Sequence, residues 1–105
     1  MIKIQVVPQG GSDAYRLLRD KVTHEAKTWS WDNKAKTRLV HSGQSTGYVE
    51  VGSADGVLVA ELYPGESGQY FLIEKFVGRL VAWFPQELFA INIQFVPEVR
   101  KPKKK

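Results

Sequence analysis

The sequence predicts an α+β fold: a two-layer sandwich in the order β-α-β-β-β-α-β, with a mostly antiparallel sheet carrying two helices on one face. Three observations carry that expectation. Apolar residues alternate with polar ones at both ends of the chain, in Ile2-Lys3-Ile4-Gln5-Val6 and in Phe89-Ala90-Ile91-Asn92-Ile93-Gln94-Phe95. Two interior stretches repeat their apolar residues at helical spacing instead, and Gly, Pro, Asn, Asp and Ser cluster where one period gives way to another.

The first strand is expected over 2–7, with Ile2, Ile4 and Val6 on one buried face. Pro8-Gln9-Gly10-Gly11 ends it, and Ser12 is placed to cap the helix that follows by accepting a backbone N–H one turn on. From Asp13 to about Lys27, Ala14, Leu18 and Val22 recur every fourth residue with Leu17 beside them, an amphipathic pattern. The run from Trp29 to His41 reads as one long strand with Trp29, Trp31, Ala35, Thr37 and Leu39 on one face and Lys34, Lys36 and Arg38 on the other. If Asp32-Asn33 turns the chain, the same residues make a hairpin. Tyr48 to Val51 is the next strand, and Asp55-Gly56 is a strong signal for a tight connection to Val57–Tyr63, because glycine takes the positive φ such turns require. Ser67 is positioned to cap a second helix. Leu72, Ile73, Phe76, Val77, Leu80, Val81, Trp83 and Phe84 give that helix a broad apolar face before Pro85 stops it, and Phe89 to Phe95 form the last strand.

One domain is expected over residues 1–97, followed by a disordered basic tail over 98–105, where lysines flank Pro102 and few apolar groups remain to fold. A chain of 105 residues with 43% hydrophobic residues and no cysteine holds a core without disulfides or cysteine-bound zinc. No secretory signal pattern is visible, and the most apolar stretch, Tyr70 to Phe84, is interrupted by Glu74, Lys75 and Arg79, so the cytoplasm is the default expectation.

The net charge of +4 is unevenly placed. The tail alone holds five basic groups and one acid, so everything before it sums to zero. Within that neutral part residues 1–38 carry eight basic and four acidic groups, while residues 39–74 carry five acids and no Lys or Arg. The basic character belongs to the tail and says little about the folded surface.

Catalytic chemistry is poorly represented. His24 and His41 are the two imidazoles, and neither has a second histidine at metal-ligand spacing. Gly43-Gln44-Ser45-Thr46-Gly47 has the letters of a G-x-S-x-G nucleophile elbow but falls between two expected strands rather than between a strand and a helix, so it reads as turn chemistry, and Gly10-Gly11-Ser12 lacks the spacing of a phosphate loop while Asp13 puts a negative charge at the same place. No catalytic residue, cofactor or metal is expected. The expected function is a small binding or assembly module, with self-association suggested by the width of the second helix's apolar stripe, around which stand Tyr70, Phe71, Trp83 and Phe84. Weak, steeply salt-dependent binding of nucleic acid or another polyanion is expected through Lys34, Lys36 and Arg38 together with Arg100, Lys101, Lys103, Lys104 and Lys105. The alternative is a small-ligand carrier or enzyme whose apolar cavity lies between sheet and helices, walled by Trp29, Trp31, Tyr63 and Trp83.

Overall fold

The computed structural model describes residues 1–43, 47–65 and 68–97. Along the chain the elements are β1 (Ile2–Pro8), α1 (Ala14–His24), β2 (Trp29–Trp31), β3 (Arg38–His41), β4 (Tyr48–Ala54), β5 (Val57–Tyr63), α2 (Gly68–Trp83) and β6 (Leu88–Phe95). The six strands form one sheet in the order β2-β3-β4-β5-β1-β6, and every neighbouring pair is antiparallel. The α+β class expected from the alternating and helical periods is the class observed.

The first and last strands lie side by side. The register of β1 pairs Ile2, Ile4 and Val6 with Leu62, Ala60 and Leu58 of β5 on one side and with Phe95, Ile93 and Ile91 of β6 on the other. Residues paired across strands share a face, so these side chains all point the same way. That face carries the core: Ile2, Ile4, Val6, Val49, Val51, Leu58, Ala60 and Leu62 join Ala14, Leu18 and Val22 of α1 and Leu72, Phe76 and Leu80 of α2 in one buried cluster. Both helices therefore lie against the same side of the sheet, and the other side, with Lys3, Gln5, Glu50 and Glu61, faces water.

One expectation needs correction. The run from Trp29 to His41 is not one long strand but the β2–β3 hairpin, with Trp29 opposite His41 and Trp31 opposite Leu39. Asn33 makes the turn. Its Oδ1 accepts the backbone N–H groups of Thr37 and Arg38, both at 3.1 Å, and Lys36 takes a positive φ of 57°. An asparagine side chain that supplies its own turn in this way offers the backbone an alternative to continuing the ladder, and here that alternative prevails. The extra strand makes the order β-α-β-β-β-β-α-β.

Two smaller differences are local. The cap of α1 is Asp13 rather than Ser12: its carboxylate accepts the Arg16 N–H at 3.2 Å, and the helix starts at Ala14. Ser67, expected to cap α2, lies outside the described residues, as do residues 98–105. The β4–β5 turn is as expected, with φ of 54° at Asp55 and 83° at Gly56, the paired positive values of a two-residue type I′ hairpin. Among the described residues no helix is long and apolar enough to cross a membrane.

Candidate functional site

The tryptophans belong to the helix side of the sheet. Trp29 is buried, edge-on to Phe76 at 6.0 Å and to His41 at 4.9 Å, and its indole N–H finds no acceptor among the described residues. Trp31 is half-buried against Tyr15 of α1 and points its indole N–H at the Arg19 carbonyl, 3.5 Å away. Trp29 presents no open ring face for a base to stack on. Tyr63 stands on the opposite, water-facing side, stacked on Tyr48 with ring centroids 4.9 Å apart. Trp83 lines a groove of about 510 Å³ between α1 and the end of α2. The four residues expected as cavity walls are thus divided between three places, and the concavity beside Trp83 is an open surface groove whose charged lining includes the Lys21–Glu25 ion pair at 3.0 Å.

The basic residues divide as well. Lys34 and Lys36 sit in the β2–β3 turn, and the Lys36 carbonyl accepts the Tyr15 hydroxyl at 2.8 Å. Arg38 opens β3 on the water-facing side, donates to Glu50 at 3.0 Å and lies 4.5 Å over the Tyr48 ring. Arg100, Lys101, Lys103, Lys104 and Lys105 fall outside the described residues. On this side the register sets Glu50 directly opposite Glu61, a like-charge pair that would repel were it not flanked by Arg38 beyond Glu50 and by Lys3, 3.6 Å from Glu61. Tyr63 also donates to Glu61 at 3.0 Å, which pushes the tyrosine hydroxyl above its ordinary value. These charges satisfy one another across β3, β4, β5 and β1.

His24 is exposed near the end of α1, and His41 is held between aromatic rings, Trp29 on one side and Phe71 at 5.3 Å on the other. The His41 Nδ1 accepts the Gly43 N–H at 2.9 Å, and a Cβ on residue 43 would stand 3.2 Å from that ring and 3.3 Å from Phe71, so a larger residue there would press on both rings. Burial, followed by the positive charges of Lys75 and Arg79, pulls the His41 imidazole below its ordinary value. The folded state therefore takes up this proton less readily than the unfolded chain. Its contribution to stability is complete above about pH 6.5 and is lost as the pH falls through the lowered folded value. Urea midpoints measured from pH 7.5 to 5 should decline more steeply for the native chain than for His41→Gln; parallel curves would remove His41 from the account. Among the described residues no three His, Asp or Glu side chains converge as a metal site.

The most unusual surface is the β6 edge of the sheet. Opposite it, the β2 edge is three residues long and runs into the charged turn at Asp32 and Lys34. A short, charged margin is how sheets ordinarily avoid pairing with a neighbour. By contrast β6 has eight residues, Leu-Phe-Ala-Ile-Asn-Ile-Gln-Phe, without a single charge. Phe89 is 71% exposed, Ile93 39% and Phe95 75%. A bulge beside Pro8 leaves Phe89 without a partner in the register and leaves Ala90 to Phe95 regular.

Among the described residues, the hydrogen bonds say which backbone groups are open. Val96 donates to the Met1 carbonyl at 2.8 Å and the Met1 amine donates back to the Val96 carbonyl at 3.0 Å. In an antiparallel ladder the residues that turn toward a given neighbour alternate. Gln94, Asn92 and Ala90 accordingly turn their N–H and C=O groups to β1, while Phe95, Ile93 and Ile91 turn theirs outward. The helix layer half-covers the Ile91 side chain and leaves those of Ile93 and Phe95 exposed. On α2, Phe71 meets His41 and Trp83 meets the α1 groove, so that flank looks toward β3 and α1. Tyr70, Ile73, Val77 and Val81 form the other flank, on the β6 side, and Tyr70 and Val81 are exposed.

The excess apolar surface expected around α2 is present at Tyr70 but otherwise lies elsewhere than expected. Phe84 is buried and Phe71 and Trp83 are half-buried, and the uncovered aromatic rings are Tyr70, Phe89 and Phe95. The signal for this was present in the sequence, since no charged residue occurs between Leu88 and Pro97. What the sequence does not reveal is that this strand is at the edge. Comparison with protein-family models, with curated proteins and with solved structures gives no match for this chain.

Proposed function

We propose that this chain is an assembly module rather than an enzyme, and that it associates with itself by adding a strand at the open edge of β6. The observation that supports the reading is the contrast between the two margins of one sheet. The β2 edge is short and bordered by charge, whereas β6 offers uncharged residues, outward backbone groups and exposed phenylalanines together. An unpaired strand of this kind recruits another through main-chain hydrogen bonds, with the flanking side chains adding apolar contact.

The amount of surface agrees. Tyr70, Phe89 and Phe95, each roughly three quarters exposed, offer on the order of 400 Å² between them. A stable complex covers about 800 Å² on each partner. Ile93, Val81 and Met1 are exposed as well, and with the edge backbone they add to the apolar area on offer.

Sedimentation velocity over a dilution series tests this reading. The native chain should show a concentration-dependent associated species, and Ile93→Lys should shift the dissociation constant at least a hundredfold toward monomer while leaving the circular dichroism spectrum unchanged. A native chain that sediments as a monomer throughout would refute the reading.

A separate proposal concerns polyanions. Because residues 1–97 carry no net charge, weak low-salt binding of DNA should depend on residues 98–105. Truncation after Pro97 should abolish most of the binding. If affinity survives truncation, the Lys34–Arg38 segment becomes the place to look.

A further inference from the structure

We infer that the partner at β6 is one second copy of this chain, joined in a closed antiparallel pair with Ile93 on the two-fold axis. The inference rests on the edge-pairing reading above and adds the geometry. Two copies could also join head to tail, β6 of one against β2 of the next. That arrangement sets eight residues against three and brings the uncharged strand beside the Asp32–Lys34 turn, so most of the outward groups of β6 would stay unpaired.

A β6–β6 pair uses them all. The outward residues are Ile91, Ile93 and Phe95, spaced evenly about Ile93. A two-fold axis through Ile93 sets Ile93 against its own copy and Ile91 against Phe95 of the other copy, and each of these pairs exchanges both N–H···O bonds. A slide of two residues in either direction leaves one outward residue of each copy without a partner. The side chains agree with this register, because Ile91 opposite Phe95 is a β-branched residue facing an aromatic one, among the favourable cross-strand pairs. On the water-facing side Asn92 meets Gln94 of the second copy, amide to amide, and no charge is brought near another.

The two-fold axis stands perpendicular to the sheet, so the helix faces of both copies remain on one side. The two α2 helices then border the seam with the Tyr70, Ile73, Val77 and Val81 flanks turned toward each other, above the half-buried Ile91 and the Ile93 and Phe95 side chains that one copy leaves exposed. Such a pair is closed. Its outer margins are two β2 edges, each three residues long, which do not invite a third copy.

The absence of cysteine makes the register testable in the full chain. Facing residues of a hydrogen-bonded antiparallel pair have Cα atoms about 5.5 Å apart, within the roughly 4.4–6.8 Å that a disulfide spans. Under mild oxidation Ile93→Cys should cross-link to a dimer, whereas Asn92→Cys, displaced from its own copy by two residues along the strand, should not. As a second arm that does not rely on position 93, Ile91→Cys mixed with Phe95→Cys should cross-link as a heterodimer while neither does so alone. Association of the native chain without this pattern, for instance equal cross-linking at 92 and 93, would overturn the two-fold inference and leave edge pairing standing. A native chain that remains monomeric would overturn both.

Discussion

Lysine at position 4 is expected to abolish the folded state, whereas lysine at position 93 leaves it intact. The two residues are cross-strand partners on the same face of the sheet, Ile4 in β1 and Ile93 in β6. Ile4 is fully buried, at 0%, with strands on both sides and the helix layer above it, while Ile93 is 39% exposed at the margin. At position 4 the substitution forfeits about 1.5–3 kcal/mol of apolar burial and leaves an unpaired ammonium whose desolvation costs several kcal/mol more. A domain of this kind has about 5–15 kcal/mol of stability in all. Ile4→Lys should therefore lack a cooperative urea transition and the native circular dichroism spectrum. At Ile93 the same side chain reaches water. A cooperative transition in Ile4→Lys at the native midpoint would show that the core lies elsewhere.

Phe76→Ala is expected to have the largest effect of any truncation to alanine on α2. Phe76 is 2% exposed and packs edge-on to Trp29, so its ring joins the longer helix to the β2–β3 hairpin. Removing a buried phenylalanine side chain costs about 3–5 kcal/mol, the spread reflecting how far the cavity collapses. The hairpin is short and rests on α1 and α2 through Trp29 and Trp31, so little else compensates. The urea midpoint should fall by a third or more, and the Trp29 fluorescence should shift to longer wavelength as its ring loses a neighbour. Phe76→Leu retains most of the volume and should lose much less. Equal midpoints for Phe76→Ala and the native chain would mean that the Trp29–Phe76 contact does not anchor the hairpin.

The elements that could be read from the sequence are those whose signal is local and unopposed. The alternation of Ile2, Ile4 and Val6, the fourfold spacing of Ala14, Leu18 and Val22, and Asp55-Gly56 each specify a backbone state within a few residues, and each appears in the structure. The β2–β3 hairpin was harder because two local signals compete there. Alternation across Trp29, Trp31, Ala35, Thr37 and Leu39 favours a continuous strand, and the outcome turns on two hydrogen bonds to the Asn33 side chain, which composition does not weigh. The capping of α1 shows the same competition on a smaller scale, since Ser12 and Asp13 are both good caps and one residue decides between them.

The candidate site was legible only in part. That Phe89 to Phe95 form a strand follows from their alternation. That the strand lies at the margin, with Ile91, Ile93 and Phe95 open to a neighbour, depends on β1 inserting between β5 and β6, a pairing between opposite ends of the chain. Edge position is a property of topology and has no local signature. The same holds for the separation of Tyr63 from Trp29, which sit on opposite sides of one sheet because of the register of β4 on β5. Long-range pairing determines which apolar residues become core and which become surface.

Amide hydrogen exchange followed residue by residue in β6, across a range of protein concentrations, tests assembly through this edge. In the dilute monomer the amides of Asn92 and Gln94, bonded to β1, should be protected and those of Ile91, Ile93 and Phe95 should exchange freely. As concentration rises, protection should appear at Ile91, Ile93 and Phe95 together and in step with the sedimenting dimer. A dimer in which those three amides still exchange at the monomer rate would contradict assembly through the β6 edge.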